Sequence, residues 1–239
     1  MTPRKTNGTT ATLDRPDLAP TLQAKIISET DELTTFTVKL PEPGFTRFAL
    51  HLTGTNPLIT DAFSEARKDK FARTQDGSAK PKPGPRDPEA EFHEAMYRLP
   101  DGSFGIPKLA FRKAFAAAAT RMTEIKGVEV LAAFQIDTPD EYLKVECSEP
   151  TMRRDNVVRM GRANLAYRPE FREWAVWIPV KLDHEVVTLD QFIHIVNKAG
   201  LGVGVGNWRP EKKGDFGLWE VDEITEVTRT RGVQIPRKS

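Results

Sequence analysis

A chain of 239 residues carries 38% hydrophobic and 29% charged residues at a formal net charge of +1. It is long enough to bury roughly 70% of its unfolded surface without a disulfide or metal staple, and its one cysteine, Cys147, excludes an intrachain disulfide and a thiolate metal cluster. The near-neutral balance neither demands nor excludes a nucleic-acid partner, because only the distribution of charge bears on one.

Residues 1–20 are rich in Thr, Pro and charge and read as a flexible or extended arm. Met1 to Asp17 holds no apolar segment, so no secretory leader is expected, and no run has the length of a membrane span. The expected compartment is a bacterial host cytosol. Gln23 to Ile27 and Leu33 to Leu40 alternate as short strands around a turn at Glu29 to Glu32. Thr46 to Thr55 is a stronger strand, with Phe48, Leu50 and Leu52 on one side and Arg47, Ala49, His51 and Thr53 on the other. Residues 63–88 form a basic, proline-rich insertion with Lys68, Lys70, Arg73, Lys80, Lys82 and Arg86. It reads equally as a solvated linker or as a clamp on phosphate or on a neighbouring protomer.

Glu89 to Met96 follows as a short helix and Tyr97 to Leu99 as a short strand. Pro107 opens the first long helix, with Leu109, Ala114, Phe115, Ala118 and Met122 as its expected buried stripe. Val128 to Ile136 and Glu141 to Cys147 are the next expected strands, and Cys147 shares a packing face with Leu143 and Val145. A second basic insertion spans residues 151–170, with Arg153, Arg154, Arg159, Arg162 and Arg168, followed by Arg172. Asp155, Glu170 and Glu173 offset part of that charge, and Val157, Val158 and Met160 suit a hairpin arm. Trp174 to Leu182 alternates cleanly, with Trp177 on the face opposite Trp174. Thr188 and Gln191 form a capping-box pattern ahead of a helix over Leu189 to Ala199, with Gly200 as its expected stop.

A glycine-rich loop then carries Gly202, Gly204, Gly206, Trp208, Arg209, Lys212, Lys213, Gly214 and Gly217 into a last strand from Phe216 to Ile224. The tail, residues 227–239, is basic. The glycines have two readings. In one they are turn residues supplying positive φ. In the other they let a polyanion backbone approach main-chain N–H groups, with Arg209, Lys212 and Lys213 adding charge. They follow a helix and precede a strand, the reverse of a dinucleotide fingerprint, and no Gly-Lys-Ser/Thr opens a helix as in a P-loop. The order strand, helix, strand, strand, helix, strand predicts an α+β fold: a ferredoxin-like antiparallel sheet with two packed helices and long insertions, over residues 21–226.

A glycine-rich loop between the second helix and last strand of such a core, here Gly200, Gly202, Gly204 and Gly206 followed by Gly214-Asp215-Phe216-Gly217, resembles the RAMP superfamily of RNA-binding CRISPR proteins. The wider set is similar to an uncharacterised phage and prophage family. It comprises Asn56-Pro57-Leu58-Ile59, Tyr97-Arg98, Gly105-Ile106-Pro107, Arg168-Pro169, Trp174 and Gly206-Asn207-Trp208-Arg209-Pro210. The chain is shorter than the CRISPR backbone subunits. The resemblance implies a non-catalytic subunit that stacks along single-stranded RNA or DNA; together with the N-terminal arm, the basic insertion and the glycine loop it points to a head-to-tail, helical homo-oligomer, against the alternative of a monomer or small ring.

His51, His93, His184 and His194 are scattered, and no metal-ligand spacing, Gly-x-Ser-x-Gly or cysteine-nucleophile signature occurs. No catalytic residue, metal or cofactor is therefore expected. The alternatives are a metal-independent endoribonuclease using His51 as general acid or base, and a phage structural or inhibitory protein that binds another protein. The expected nucleic-acid contacts are Gly202, Gly204, Gly206, Trp208, Arg209, Lys212, Lys213, Arg153, Arg154, Arg159, Arg162, Arg168, Lys68, Lys70 and Arg73, with Trp208 as a stacking surface and Trp177 weighed between stacking and core packing.

Overall fold

The computed structural model describes residues 21–27, 33–39, 44–63, 68, 69, 72, 86–159 and 161–226, and of 21–27, 33–39, 158, 159 and 162 the backbone alone. The arm at 1–20, the tail at 227–239 and most of the insertion at 63–88, Lys70 and Arg73 included, lie outside the described residues. Contacts divide the chain into two units, Met1–Gly44 and Phe45–Ser239. In the first, β1 (Thr21–Ile27) and β2 (Leu33–Lys39) pair as an antiparallel hairpin with Thr21 opposite Lys39 and Ile27 opposite Leu33. The two N-terminal strands exist as expected, and they pair with each other in a sheet of their own.

The second unit is built on β3 (Phe45–Gly54), α2 (Lys108–Met122), β7 (Phe134–Ile136) with β8 (Tyr142–Cys147), β11 (Trp174–Asp183), α4 (Leu189–Gly202) and β12 (Trp219–Glu226). In the sheet, β12 lies beside β3, β3 beside β11, and β11 beside both β8 and β7, every pairing antiparallel. The last strand thus flanks the first, the third lies on the first strand's other side, and the second is beyond it. That is the ferredoxin-like arrangement of a split βαβ unit. Beyond β8 the sheet is extended by β6 (Phe104–Pro107) and β5 (Tyr97–Arg98). The insertions add β4 (Leu58–Ile59), α1 (Pro88–Glu94) and α3 (Gly127–Ala133). They also add a hairpin of β9 (Thr151–Arg159) and β10 (Arg162–Phe171), which with β4 makes a three-stranded sheet.

Alternation puts Phe48, Leu50 and Leu52 of β3 and Val176, Ile178, Val180 and Leu182 of β11 on one face, all buried. The two long helices cover that face. Helix α2 buries Phe111, Ala114, Phe115, Ala118 and Ala119, whereas Leu109 and Met122 are 52% and 38% exposed. The expected stripe was therefore rotated. Both sets share Ala114, Phe115 and Ala118, but the set beginning at Phe111 puts a ring on the core where the other would put Leu109. Phe192 of α4 lies at the centre, edge-on to Phe115 at 5.9 Å and tilted against Phe134 at 5.0 Å.

Helix α4 starts as expected: Thr188 Oγ1 accepts from the Gln191 N–H at 3.3 Å, and Gln191 Oε1 accepts from the Thr188 N–H at 3.0 Å. It does not stop at Gly200 but runs to Gly202. A Cβ on Gly200 would collide with the Trp219 carbonyl, so this glycine serves the close approach of α4 to β12. The strand expected over Val128 to Ile136 is instead the helix α3 followed by the short strand β7. Gly127, Val130 and Ala133 are its buried residues, a helical spacing inside an apolar run too short for periodicity to decide.

Candidate nucleic-acid interface

The loop from Val203 to Leu218 folds on itself and onto residues 55–59. Val205 donates its N–H to the Gly217 carbonyl at 2.9 Å, Gly217 to Pro57 at 2.8 Å, and Asn207 to Ile59 at 2.8 Å. Gly204 donates to Ala199, Gly214 to Arg209 and Phe216 to Trp208. At Gly217, φ is +66° and an added Cβ would meet the Val205 carbonyl. Here glycine allows chain to approach chain, and these N–H groups already have acceptors within the protein. The N–H groups of Gly204, Gly214 and Gly217 are therefore not on offer to phosphate; Gly202 closes α4 against Met122, and Gly204 and Gly206 pack on Arg209, Pro210 and Ile59.

The expected cations divide into two groups. Arg209 donates to the Gly206 carbonyl at 2.9 Å and, through Nε and Nη2, to Glu211 at 3.1 and 2.8 Å. Arg121 reaches the other Glu211 oxygen at 3.0 Å. Arg153 donates to Asp155 at 2.6 Å and Glu170 at 3.0 Å, with its guanidinium 4.7 Å over the Phe216 ring. Arg168 donates to Asp61 at 2.8 and 3.1 Å and to Asp155 at 3.4 Å. Asp155, 5% exposed, also accepts from Trp208 Nε1 at 3.2 Å. It is thus the hub that ties the base of the β9–β10 arm to the glycine loop. Arg153, Arg168 and Arg209 are structural pairs, because carboxylates of the same chain already neutralise them.

In the second group, Arg154, Lys212 and Lys213 are exposed and have no carboxylate partner among the described residues. Lys113, which the sequence reading did not single out, belongs with them. Lys68 is exposed and engaged with a partner of its own. Arg159 and Arg162 face each other in register at the end of the arm. Trp208 is 38% exposed at φ +54°, leaving part of its ring accessible.

Beside the loop runs a groove with two adjoining lobes. The larger, 360 Å³, lies between the start of α2 and the loop and includes Lys113, Gly204, Arg209 and Glu211. The smaller, 220 Å³, includes Tyr97, Thr60, Asp61 and Asn207. Pro107, Ala110, Gly206 and Arg209 belong to both.

The sheet face opposite the helices carries His51. Its Nδ1–H donates to Asp222 Oδ1 at 2.7 Å, and Thr53 Oγ1 donates to Asp222 Oδ2 at 2.7 Å. Burial pushes the Asp222 carboxyl up, but these hydrogen bonds outweigh it and hold the group below the ordinary carboxylate range. His51 Nε2 lies 4.0 Å from Glu146, and the ring stands 4.5 Å from that of Trp177. Both imidazole nitrogens therefore face acid, which is unfavourable for a phosphodiester. Among the described residues no group of three or more His, Cys, Asp or Glu is placed to hold a metal ion, and no helix is long and apolar enough to cross a membrane.

The Glu211 clamp has a pH signature. The hydrogen bond from Arg209 lowers its carboxyl below the usual value, against a contribution from burial that raises it and with help from Arg121. A depressed folded value means the stabilisation is present above the unfolded value and is lost as pH falls through the folded one. Glu211→Gln is expected to remove that part of the acid destabilisation. Melting temperatures of both proteins from about pH 7 to about pH 3 check it; parallel curves would show that Glu211 contributes no such dependence.

No family model matches this sequence and no curated protein matches it. Among solved structures, the chain is similar to one in a cryo-EM structure of the Type III-B Cmr-beta bound to cognate target RNA, at 10% identity and a TM-score of 0.44. The match covers 77% of this chain and 61% of that one, less than two thirds of the neighbour's length. The fold stands on the strand order of the sheet itself, and at that distance the likeness carries no argument about function.

Proposed function

We propose that the chain is a non-catalytic subunit that binds single-stranded nucleic acid, RNA or DNA, through the groove beside the glycine loop and the outer face of the β9–β10 arm. The observation that carries this reading is the division of the cations. The chain pairs Arg153, Arg168 and Arg209 internally, yet leaves Lys113 in the groove, Lys212 and Lys213 next in sequence to its lining residue Glu211, and Arg154 on the arm without a carboxylate partner among the described residues. Unpaired cations around a groove, next to a half-exposed tryptophan, suit a strand whose phosphates are neutralised and whose bases stack. Strand cleavage is the second reading: Asp222 holds the His51 Nδ1–H as a carboxylate orients a general base, whereas Glu146, 4.0 Å from Nε2, disfavours an approaching phosphate. Assembly along the strand belongs to the same proposal and draws on the polar N-terminal arm at 1–20 and the basic insertion at 63–88.

Purified protein incubated with labelled single-stranded RNA and DNA tests it. Retention of intact strands, with scattering mass growing with strand length, is the expected result. Cleavage that His51→Ala abolishes would replace binding by catalysis, and a failure to retain either strand would overturn the reading.

A further inference from the structure

The polar groups of the smaller lobe divide much as the cations do. Thr60 Oγ1 donates to the Ala95 carbonyl at 2.9 Å, and Asp61 is held by Arg168. The Asn207 amide and the Tyr97 hydroxyl, by contrast, make no hydrogen bond among the described residues. Asn207 is placed by its backbone, whose N–H donates to Ile59 at 2.8 Å within the stitched loop. Its side chain thus keeps a donor and an acceptor side by side on a rigid support, which is what reading a ligand edge requires. Burial pushes the Tyr97 hydroxyl up, so it remains protonated and able to donate. The adjoining 360 Å³ lobe brings the unpaired Lys113. Small-molecule pockets run to about 300–1,000 Å³, a range the two lobes reach together.

Building on the proposed nucleic-acid binding, we infer that the two lobes form a one-nucleotide subsite that takes adenine and rejects guanine. The base occupies the smaller lobe, with Asn207 bidentate to its N6 donor and N7 acceptor, and the phosphate lies beside Lys113 in the larger one. Asparagine makes that pair with adenine and not with guanine, whose N7 and O6 both accept. A phosphate alone would leave the Asn207 acceptor unused, and a peptide bond would leave Lys113 without an anion.

The test compares the affinity of the full chain for an oligoadenylate with that for the same strand built from 7-deazaadenine, at one salt concentration. The native strand is expected to bind roughly tenfold more tightly. Asn207→Ala and Asn207→Asp should remove that difference and still bind both strands, whereas Lys113→Ala should weaken both strands equally and preserve it. Equal wild-type affinities, or a difference that survives Asn207→Ala, would overturn the subsite while leaving nucleic-acid binding intact. If no strand of any sequence binds, the underlying reading fails, and with it the subsite.

Discussion

Asp155→Ala is expected to lower the unfolding free energy by about 3–5 kcal/mol, the cost of breaking a buried ion pair by removing one partner. Asp155 accepts from Arg153, Arg168 and Trp208, and with its carboxylate gone Arg168 keeps only Asp61 at this end of the arm. Most of the loss falls on Arg168, whose side chain is 11% exposed, since Arg153 at 34% is partly screened by water. Arg154→Ala, one residue away on the opposite face of β9, should stay within about 0.5 kcal/mol. Urea denaturation of both variants measures the contrast. A loss below about 1 kcal/mol for Asp155→Ala would place these pairs in the class of surface salt bridges and would remove the reason for calling Arg153 and Arg168 structural.

Gly200→Ala should destabilise the protein by about 3 kcal/mol, although helix propensity alone argues for a gain of about 1 kcal/mol. Gly200 lies within α4, where alanine is intrinsically the better residue. The added methyl would meet the Trp219 carbonyl, a backbone atom fixed by the pairing of β12 with β3. Relief requires α4 to move off the sheet, which opens the packing of Phe192 against Phe48 and Phe115. Thermal or urea unfolding decides the sign. A more stable variant would show that α4 and β12 do not approach this closely.

The fold was legible because its signals were local and strong. The alternation of β3 and β11 and the capping box of α4 each have a residue pattern that admits one reading. The misreadings share another cause. Leu109 against Phe111, and α3 against a strand, are choices between patterns of nearly equal quality, settled by what the neighbouring elements offer to pack against. At the site, the sequence marked the loop and the basic arm but could not say which cations were paired. Asp155 and Glu170 stood in the arginine-rich region as signs of internal neutralisation, while the contact of Asp155 to Trp208 joins residues far apart in the chain. Lys113 gave no local signal, and Asn207 was marked only as part of the stretch Gly206 to Pro210; only the folding of the loop against α2 puts them along one groove.

Which cations meet phosphate is read directly by the salt dependence of affinity for a single-stranded oligonucleotide. Each phosphate contact contributes a log–log slope of about −0.7 for single strands. The wild-type slope should flatten by about 2 when Lys113, Lys212 and Lys213 are all replaced by Ala, and should not change for Arg209→Ala, whose guanidinium is held by Glu211 and the Gly206 carbonyl. A slope unmoved by loss of the three lysines, or one that flattens with Arg209→Ala instead, would contradict the account.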